Sequence, residues 1–565
     1  MKLKNLAAIA AGAALVLTVS ACSSGGGNEA TESKAPAETK TADYNPQERD
    51  ALQEGGEVTF PIGEIPPQMN PFQADGSVDT STLWDWYNPQ LILFTPEGEA
   101  YKNDAYLDGW DIETEDGKTV VTFTFNPDAH YNDGTPIDWT AIDTTWKASN
   151  ATNEAYQASS TDGYKLIESV AAGADDKQAV VTFGQEYAWP EGLFNNILHP
   201  AVNSPEVYNT GYLNTPNEQW GAGPYTIDKF DSKGGTITFV QNPEWWGEKG
   251  LLDKVTFRML DDTAEINAFK NGEVDMAATG TKDRLAQVED LDGVVTYRAM
   301  RTATNLFTLD AENPLLSDLD VRKAIFMGID RDALKEVVWD GLDYSEEPAG
   351  SFTLFPFQEG YENNLDAAGW SYDPEAAAKL LEDAGWEEGE DGIREKDGEK
   401  LSLTLPLFGD DPIVEARGKV INALLKEIGV DIKIDVRPSS DFSTDYSSKN
   451  WDVMMLGFSS SDPFGFAYFC QLWCSDSGLN LSGSGTPELD EKIHALEAIG
   501  DPAEQIAEGN KLEAEAFAET WGIFPLYAGP SIFTVKEGLA NLTPEFYTGL
   551  DGFGRQPVEN VGWEK

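Results

Sequence analysis

The sequence predicts an α/β protein that divides into more than one lobe, and two observations support this. The chain has 565 residues, whereas a single hydrophobic core stops growing at roughly 250–300 residues. Runs rich in β-branched and aromatic residues also alternate along the chain with helical stretches. The mixture of strands and helices favours α/β lobes.

The first 22 residues have the features of a secretion signal. Lys2 and Lys4 give a basic start, residues 6–19 form a short apolar run, and small residues stand directly before Cys22. This arrangement resembles a bacterial lipoprotein signal, which implies acylation of Cys22. A transmembrane helix is the alternative, but it would need about 20 apolar residues. We therefore expect residues 1–21 to be a signal peptide and the mature protein to be held on the extracellular face of the cell membrane by a lipid anchor.

Residues 22–56 are predicted to be a flexible spacer. They are mostly Gly, Ser, Glu, Thr and Ala, so burial of apolar groups cannot offset the entropy of ordering them. The first strand is expected directly afterwards, at residues 56–61. Further strands are predicted at residues 119–125, 179–183, 236–240, 255–259, 401–405, 430–436 and 451–456.

Three helices have clear start signals. Each combines an aspartate as N-cap acceptor with proline at the first helical position. The three pairs are Asp373-Pro374, Asp411-Pro412 and Asp501-Pro502. The second helix is expected to end at Gly429, because glycine readily forms a C-terminal cap. Hairpin turns are predicted at Asp116-Gly117 and Asp397-Gly398.

The charge of the chain excludes one class of partner. It carries 98 Asp and Glu against 39 Lys and Arg, a net charge of −59, and such a protein is repelled by the phosphates of nucleic acids. We therefore expect no nucleic-acid partner. The 16 Trp and 19 Tyr are more than a core usually needs.

Cys470 and Cys474 are expected to form a disulfide. At an i, i+4 spacing on a helix their Cα atoms lie about 6 Å apart, which is within disulfide range, and the compartment outside the membrane is oxidising. A zinc site is not expected, because no second ligand pair is nearby and His130, His199 and His494 are scattered. We expect neither a metal nor a cofactor.

No motif for nucleotide binding or catalysis is complete. Gly117-Lys118-Thr119 lacks the glycine that a phosphate-binding loop needs five residues earlier, where Ile112 stands. Ser484 lacks the glycine of a nucleophile elbow, since Ser482 occupies its position. A carboxylate pair for glycoside hydrolysis stays open, because the many acidic residues offer many pairings.

Seven segments, in order along the chain, resemble those of family 5 solute-binding proteins, the peptide-binding components of ABC importers. Residues 126–137 (NPDAHYNDGTPI) are similar to the family's D-G-T-P segment, and residues 221–225 (GAGPY) are similar to its G-T-G-P-Y segment. The others are residues 241–246, 271–275, 320–331, 372–386 and 451–454. Any one segment is weak evidence, but seven in family order are specific. Within them, Arg322 is expected to pair with a carboxylate that orients its helix.

The resemblance implies a periplasmic-binding-protein-like fold of type II, in which two lobes close about a hinge and one lobe carries an extra inserted subdomain. Carried onto this chain, lobe one takes residues 57–93, 216–307 and 526–565, the inserted subdomain takes 94–215, and lobe two takes 308–525. The chain would cross between the lobes near Phe307 and near Pro525, and these crossings would form the hinge.

The resemblance also implies where a ligand binds. In family peptide binders an aspartate after the W-D-x-x strand holds the ligand α-ammonium, and the matching residue is Asp462, whose alternative role is to cap the turn before Pro463. The expected strand-edge partners of the ligand are Gly457, Phe458 and Ser459 in lobe two and Trp84, Asp85, Trp86, Tyr87 and Asn88 in lobe one.

The sequence departs from the family pattern in two places. Asn88-Pro89-Gln90 replaces Glu-Gly-Leu in the lobe-one segment. Dipeptide-specific relatives place an arginine after the strand at 401–405 to hold the ligand carboxylate, whereas this chain has Phe408-Gly409-Asp410 there. We count Phe408 and Asp410 among the expected ligand contacts. Without that arginine, longer peptides or positively charged ligands are expected to fit better than a dipeptide.

These observations predict a monomeric substrate-binding protein, not an enzyme, that captures oligopeptides in a cleft and delivers them to the subunits of an ABC permease. Two alternatives stay open. An oligosaccharide-binding protein of the same family would also use stacked Trp and Tyr rings. A surface glycoside hydrolase would need a carboxylate pair that converges in the cleft.

Overall fold

A computed structural model describes residues 42–409, 412–438, 441–459, 465–466, 469–477, 479–542 and 557–565. The strands, in chain order, are β1 (Glu57–Ile62), β2 (Ile92–Phe94), β3 (Ala100–Lys102), β4 (Leu107–Glu115), β5 (Lys118–Phe125), β6 (Ile167–Ala172), β7 (Gln178–Phe183), β8 (Tyr225–Asp231), β9 (Thr236–Gln241), β10 (Lys254–Met259), β11 (Met276–Ala278), β12 (Val294–Met300), β13 (Ala303–Leu309), β14 (Glu387–Glu388), β15 (Arg394–Lys396), β16 (Glu399–Lys400), β17 (Ser402–Phe408), β18 (Asp431–Arg437), β19 (Val453–Ser459), β20 (Ile523–Tyr527), β21 (Pro530–Lys536), β22 (Leu539–Ala540) and β23 (Gly562–Trp563).

The helices are α1 (Val78–Trp84), α2 (Trp139–Ser149), α3 (Pro205–Thr210), α4 (Asp262–Lys270), α5 (Lys282–Leu285), α6 (Leu319–Met327), α7 (Arg331–Val338), α8 (Asn364–Ala367), α9 (Pro374–Asp383), α10 (Pro412–Glu427), α11 (Phe442–Ser448), α12 (Phe469–Trp473), α13 (Pro487–Glu497) and α14 (Pro502–Thr520).

The start signals in the sequence act as predicted at α9 and α14, and the stop signal acts as predicted at the end of α10. The carboxylates of Asp373 and Asp501 cap α9 and α14 by accepting main-chain N–H groups of the first turn. Gly429, just past the end of α10, has φ +84°, a conformation that glycine accepts without a Cβ clash. Asp411, the expected cap of α10, lies outside the described residues.

Several sheets organise the described chain. Two are four-stranded, with the orders β1-β10-β9-β8 and β4-β5-β7-β6, and β17 pairs with β18 in parallel. Three sheets of the described chain are three-stranded, with the orders β11-β21-β12, β19-β13-β20 and β14-β15-β16. Every predicted strand corresponds to one of these strands, which confirms the mixed α/β class.

Separate hydrophobic cores support these sheets. One lies around β1, β8, β9 and β10 and includes Phe60, Phe239 and Phe257. A second lies around β5 and β7 and includes Phe123 and Val181. The largest surrounds β13, β17 and β20 together with helices α6 to α10 and α12 to α14. Division into several cores is the outcome expected for a chain of this length.

The chain passes twice between two of the three-stranded sheets. β12 and β21 pair in one sheet, whereas β13, which directly follows β12, and β20, which directly precedes β21, pair in the other. The two passages are hydrogen-bonded, since Arg301 N–H donates to the Gly529 carbonyl at 2.9 Å. Phe307 and Pro525, where the sequence predicts the lobe crossings, lie inside β13 and β20 a few residues away. The lobe boundaries themselves stay a prediction.

Arg322 corrects one expectation. Its side chain is buried, and it donates to the main-chain carbonyls of Leu316, Ser317 and Thr520 and forms no ion pair with a carboxylate among the described residues. Thr520 is the last residue of α14, where carbonyls lack partners within the helix. The guanidinium therefore caps the end of α14, a structural role that sequence spacing alone does not indicate.

Candidate ligand-binding site

A cavity of about 220 Å³ lies between the ends of β17 and β19, and we call it the Arg417 cavity. Its walls are mostly apolar and come from the central sheet β19-β13-β20, from β17 and from helices α10 and α11. They are Asn305, Leu306, Pro406, Leu407, Phe408, Val414, Arg417, Phe442, Met455, Leu456, Gly457 and Leu526. Pockets with this composition, apolar walls with few polar groups, are typical of ligand sites.

Local sequence explains how β17 and β19 come together there. Leu403, Leu405 and Leu407 point into the core from β17, because side chains alternate across a strand. Asp452 accepts the Thr404 N–H at 2.6 Å, and its own N–H donates back to the Thr404 carbonyl at 3.2 Å. The aspartate of the W-D-x-x segment is thus a structural tie between the two strands.

Three residues form a row across the central sheet beside the cavity. Asn305 on β13 is in register with Gly457 on β19 and with Tyr527 on β20. β19 is one of the two edge strands of this sheet. A Cβ added at Gly457 would have no atom within 4 Å, so the space beside this position is open.

Arg417, on α10, lies over this row. Its guanidinium donates to Asn305 Oδ1 at 3.1 Å and to the Tyr527 hydroxyl at 2.9 Å. Burial raises the pKa of Tyr527 above its ordinary value, although the neighbouring Arg417 opposes this shift. Both partners of Arg417 are therefore neutral groups at pH 7.

The expected lobe-one contacts lie in the protein core. The side chains of Trp84, Trp86, Tyr87 and Asn88 are buried, with at most 4% of each exposed. The Trp84 ring packs on Tyr212 at 5.4 Å between centroids, and Asp85 is buried with them. Contacts from this segment to a ligand would therefore have to come from main-chain groups.

The GAGPY segment holds this part of the chain in place. The Tyr87 carbonyl accepts the N–H groups of Ala222 at 2.9 Å and of Gly223 at 3.0 Å. A Cβ on Gly223 would lie 2.8 Å from the Tyr87 main chain, so glycine is needed for the close approach. This motif of the sequence is structural.

The remaining predicted site residues have mixed placements. Phe408 and Gly457 line the Arg417 cavity, and Phe458 and Ser459 follow Gly457 on β19. Asp462, Asp410 and Cys22 lie outside the described residues.

The cavity also has walls that the sequence analysis missed, above all Arg417, Asn305 and Phe442. No signal pointed to them, because a helical pattern does not show which strand a helix face will cover.

The structure has a disulfide between Cys470 and Cys474. Their sulfurs and a ring nitrogen of His494 lie within 4.8 Å of one another, which is the single potential metal-ligating group of this kind among the described residues. Because thiolates are the ligating form of cysteine, the disulfide removes two of the three donors. His199 is buried against Asp133, and burial lowers its pKa.

Comparisons with known proteins define the class of the chain. Residues 102–480 match the model for bacterial extracellular solute-binding proteins, family 5. The chain is 31% identical over 528 residues to the oligopeptide-binding protein OppA of Mycobacterium tuberculosis, an alignment that covers 92% of this chain and 88% of that protein.

Two solved structures are similar over almost their whole length. A periplasmic EDTA-binding protein, EppA, matches with a TM-score of 0.82 and 24% identity, covering 93% of this chain and 99% of its own. The oligopeptide-binding protein AppA of Bacillus subtilis, solved with a nonapeptide, matches with a TM-score of 0.72 and 19% identity, covering 91% and 100%. The fold is therefore that of the two-lobed periplasmic binding proteins.

The protein belongs to the family 5 extracellular solute-binding proteins. Its homologues are substrate-binding proteins rather than enzymes, which confirms that prediction. They are extracellular or periplasmic. In the part of the chain that the structure describes, no helix combines the length and the apolar character needed to cross a membrane.

Proposed function

We propose that this protein captures oligopeptides on the outer face of the cell membrane and delivers them to an ABC permease. The observation that carries the proposal is the open edge of β19 beside an apolar cavity. An extended peptide can pair its main chain with such an edge, while its side chains enter pockets. The names of two relatives, OppA and AppA, refer to oligopeptides.

The edge of β19 suggests how a peptide would lie. Gly457, Phe458 and Ser459 would supply main-chain hydrogen bonds, and Phe408 would contact a ligand side chain in the Arg417 cavity. Asp462, which follows this strand by three residues in the sequence, would receive the ligand α-ammonium. A buried ammonium without a carboxylate would cost several kcal/mol. Asp410, and main-chain groups of Trp84, Trp86, Tyr87 and Asn88, complete the proposed contacts.

Calorimetry with one pentapeptide in free and N-acetylated form tests the proposal on wild type and on Asp462→Ala. Removal of one partner of a buried charge pair costs about 2–5 kcal/mol, so the variant should bind the free peptide about 30-fold or more weakly. Acetylation should weaken binding to wild type strongly and to the variant far less. Equal effects of acetylation on both proteins would exclude Asp462 as the amine anchor.

The same calorimetry separates peptide binding from the oligosaccharide alternative. If wild type binds no peptide and binds a neutral oligosaccharide, the proposed ligand class is wrong. The structure offers no specific support for sugar stacking at the lobe-one segment, because the rings of Trp84, Trp86 and Tyr87 are buried in the core.

Membrane attachment is proposed to depend on Cys22, since the small residues before it match a lipoprotein signal. Fractionation of cells that express Cys22→Ala tests this directly. The variant should leave the membrane fraction, and membrane association equal to that of wild type would contradict the anchor.

A further inference from the structure

We propose that Cys470 and Cys474, once reduced to thiols, bind one Cu⁺ ion together with His494, so that the disulfide between the cysteines is a redox gate on a metal site. This inference does not rest on the proposed function, because it concerns α12 and α13 and not the Arg417 cavity. The sequence predicts no metal, since His494 is distant from both cysteines along the chain. The fold brings all three residues together.

Three metal-ligating atoms converge at one place. The sulfurs of Cys470 and Cys474 and a ring nitrogen of His494 lie within 4.8 Å of one another. They come from two helices, because Cys470 belongs to α12, Cys474 directly follows it and His494 belongs to α13. When the S–S bond is open, small rotations of these side chains can place the three atoms around one ion, at metal–ligand distances of about 2.0–2.3 Å.

The framework of this site does not depend on the disulfide. Phe469 and Trp473 are buried and anchor α12 in the largest core. The Ser475 N–H donates to the carboxylate of Asp490 at 2.8 Å, and the Ser475 hydroxyl donates to the same carboxylate. Asp490 and His494 are four residues apart on α13 and therefore lie on one face of that helix. These contacts keep the end of α12 beside the His494 face of α13 when the cysteines are reduced.

A small thiol from solution opens the gate by disulfide exchange. The Cys470 side chain is half-buried and that of Cys474 is fully buried, so the thiolate of the reductant attacks the Cys470 sulfur. This attack forms a mixed disulfide at Cys470 and releases the Cys474 thiolate. A second thiol molecule then releases the Cys470 thiolate and forms the disulfide of the reductant. Two electrons pass from two thiols to the cysteine sulfurs, and the two thiol protons go to the cysteines or to water.

The set of ligands favours Cu⁺. Thiolates are soft ligands that select Cu⁺ and Zn²⁺, and imidazole suits both copper and zinc. Structural zinc sites almost always have four protein ligands, whereas the group formed by the described residues has three and includes no carboxylate. Cu⁺ is satisfied by three ligands. The thiols that reduce the disulfide also keep copper in this oxidation state.

Burial makes a metal ion a suitable partner for the reduced cysteines. Cys474 is 0% exposed, and a thiolate at such a position is costly unless a cation compensates its charge. Cu⁺ supplies this compensation and displaces the thiol protons to water. His494 is exposed, so an ion in solution can reach the site from that side.

The experiment uses the mature full chain with Cys22→Ser. Because the sequence has three cysteines, Cys470 and Cys474 are then the only sources of thiols. The protein is reduced with dithiothreitol, separated from it without oxygen and titrated with Cu⁺ in competition with the coloured chelator bicinchoninate. Oxidised protein is titrated in the same way. Thermal unfolding first shows that the reduced protein is folded, which we expect because the disulfide closes only a very short loop.

Two variants and one control test the ligands. The reduced protein should bind one Cu⁺ per chain, whereas the oxidised protein and Cys474→Ser should lose this binding. His494→Gln should bind at least about tenfold more weakly, since even the partners of metal ligands contribute about 10–100-fold to affinity. Its X-ray absorption spectrum should keep two sulfur ligands and lose the nitrogen. His130→Gln is the matched control and should bind as the parent does, because His130 packs on Trp246 in another part of the fold.

Four results would overturn the inference. Equal Cu⁺ affinities of the reduced and the oxidised protein would exclude the gate. Equal affinities of His494→Gln and His130→Gln would exclude the histidine ligand. Binding of Zn²⁺ but not of Cu⁺ by the reduced protein, in a parallel titration, would show that the assigned metal is wrong. Loss of the fold on reduction would show that the disulfide has a structural role and that the thiol site does not form.

Discussion

The Trp84 segment and the Arg417 cavity both contain aromatic side chains, but the rings have opposite surroundings. Around Trp84 they pack on one another, as in the contacts of Trp86 with Tyr225 at 5.4 Å and with Phe257 at 5.9 Å. Beside the cavity, Phe442 packs edge-on against Phe408 at 5.2 Å and is 38% exposed.

The difference shows how to separate rings that stabilise the fold from rings that are available to a ligand. A buried ring already has its partners, so a ligand gains nothing from it. A ring that is partly exposed on the wall of a cavity still has apolar area to bury, and about 25 cal/mol is gained for each Å² that a ligand covers.

The largest expected effect is on stability at the first region. Trp84→Ala should reduce the free energy of unfolding by about 3–5 kcal/mol, because it empties a buried site that neighbouring rings cannot refill. Phe442→Ala should change it by less than about 1 kcal/mol, since an exposed side chain leaves little cavity. Urea unfolding followed by fluorescence gives both values.

Peptide affinity should show the reverse order. Phe442→Ala is expected to weaken binding about tenfold, which corresponds to about 1.4 kcal/mol of lost apolar contact. If Phe442→Ala loses stability but keeps its affinity for the peptide, the contrast between the two regions is wrong.

This contrast also shows which features of the structure can be predicted from the sequence. The caps at Asp373 and Asp501, the strands at 119–125 and 451–456, and the family resemblance depend on local patterns, and local patterns are legible in one chain. Whether the ring of Trp84 faces the core or the cleft depends on how α1 docks on the sheet of β1, which no local pattern contains. The position of Arg417 over Asn305 and Tyr527 likewise joins three segments that are distant in sequence.

Glycines of the two regions provide a smaller and sharper test. Gly223→Ala places a methyl group 2.8 Å from the Tyr87 main chain, so we expect a loss of about 1–3 kcal/mol of stability from overpacking. Gly280→Ala is the matched control, because a Cβ there meets nothing within 4 Å. Thermal unfolding of the pair gives the difference, and equal stabilities would show that the Tyr87 segment yields without strain.

A substitution at Gly457 tests the second region, the Arg417 cavity. Gly457→Ala should leave stability unchanged within about 0.5 kcal/mol, since the added methyl group enters open space. If a peptide pairs along β19, that methyl group should reduce its affinity. Calorimetry on a variant of unchanged stability measures this effect alone, and an unchanged affinity would place the peptide elsewhere.

The smallest expected effect concerns the passage that links the sheet of the cavity to the sheet of β21. Glu346 is buried and accepts the N–H groups of Ala528 at 2.7 Å and Gly529 at 2.9 Å, together with the Tyr344 hydroxyl at 2.6 Å. Burial raises the pKa of Glu346 above that of an ordinary glutamate, while these donors and the nearby charge of Lys335 oppose the shift.

The sign of the pH dependence follows from that raised pKa. Between the pKa of an unfolded glutamate and the pKa of Glu346 in the fold, the folded protein holds a proton that the unfolded chain has lost. The contribution of this group to the free energy of unfolding therefore decreases as the pH rises through that window. The stability of wild type minus that of Glu346→Gln should decrease in the same direction, because glutamine does not titrate. Urea unfolding of both proteins from acidic to neutral pH measures this difference, and a difference that does not change with pH would show that the pKa of Glu346 is the same in the folded and the unfolded chain.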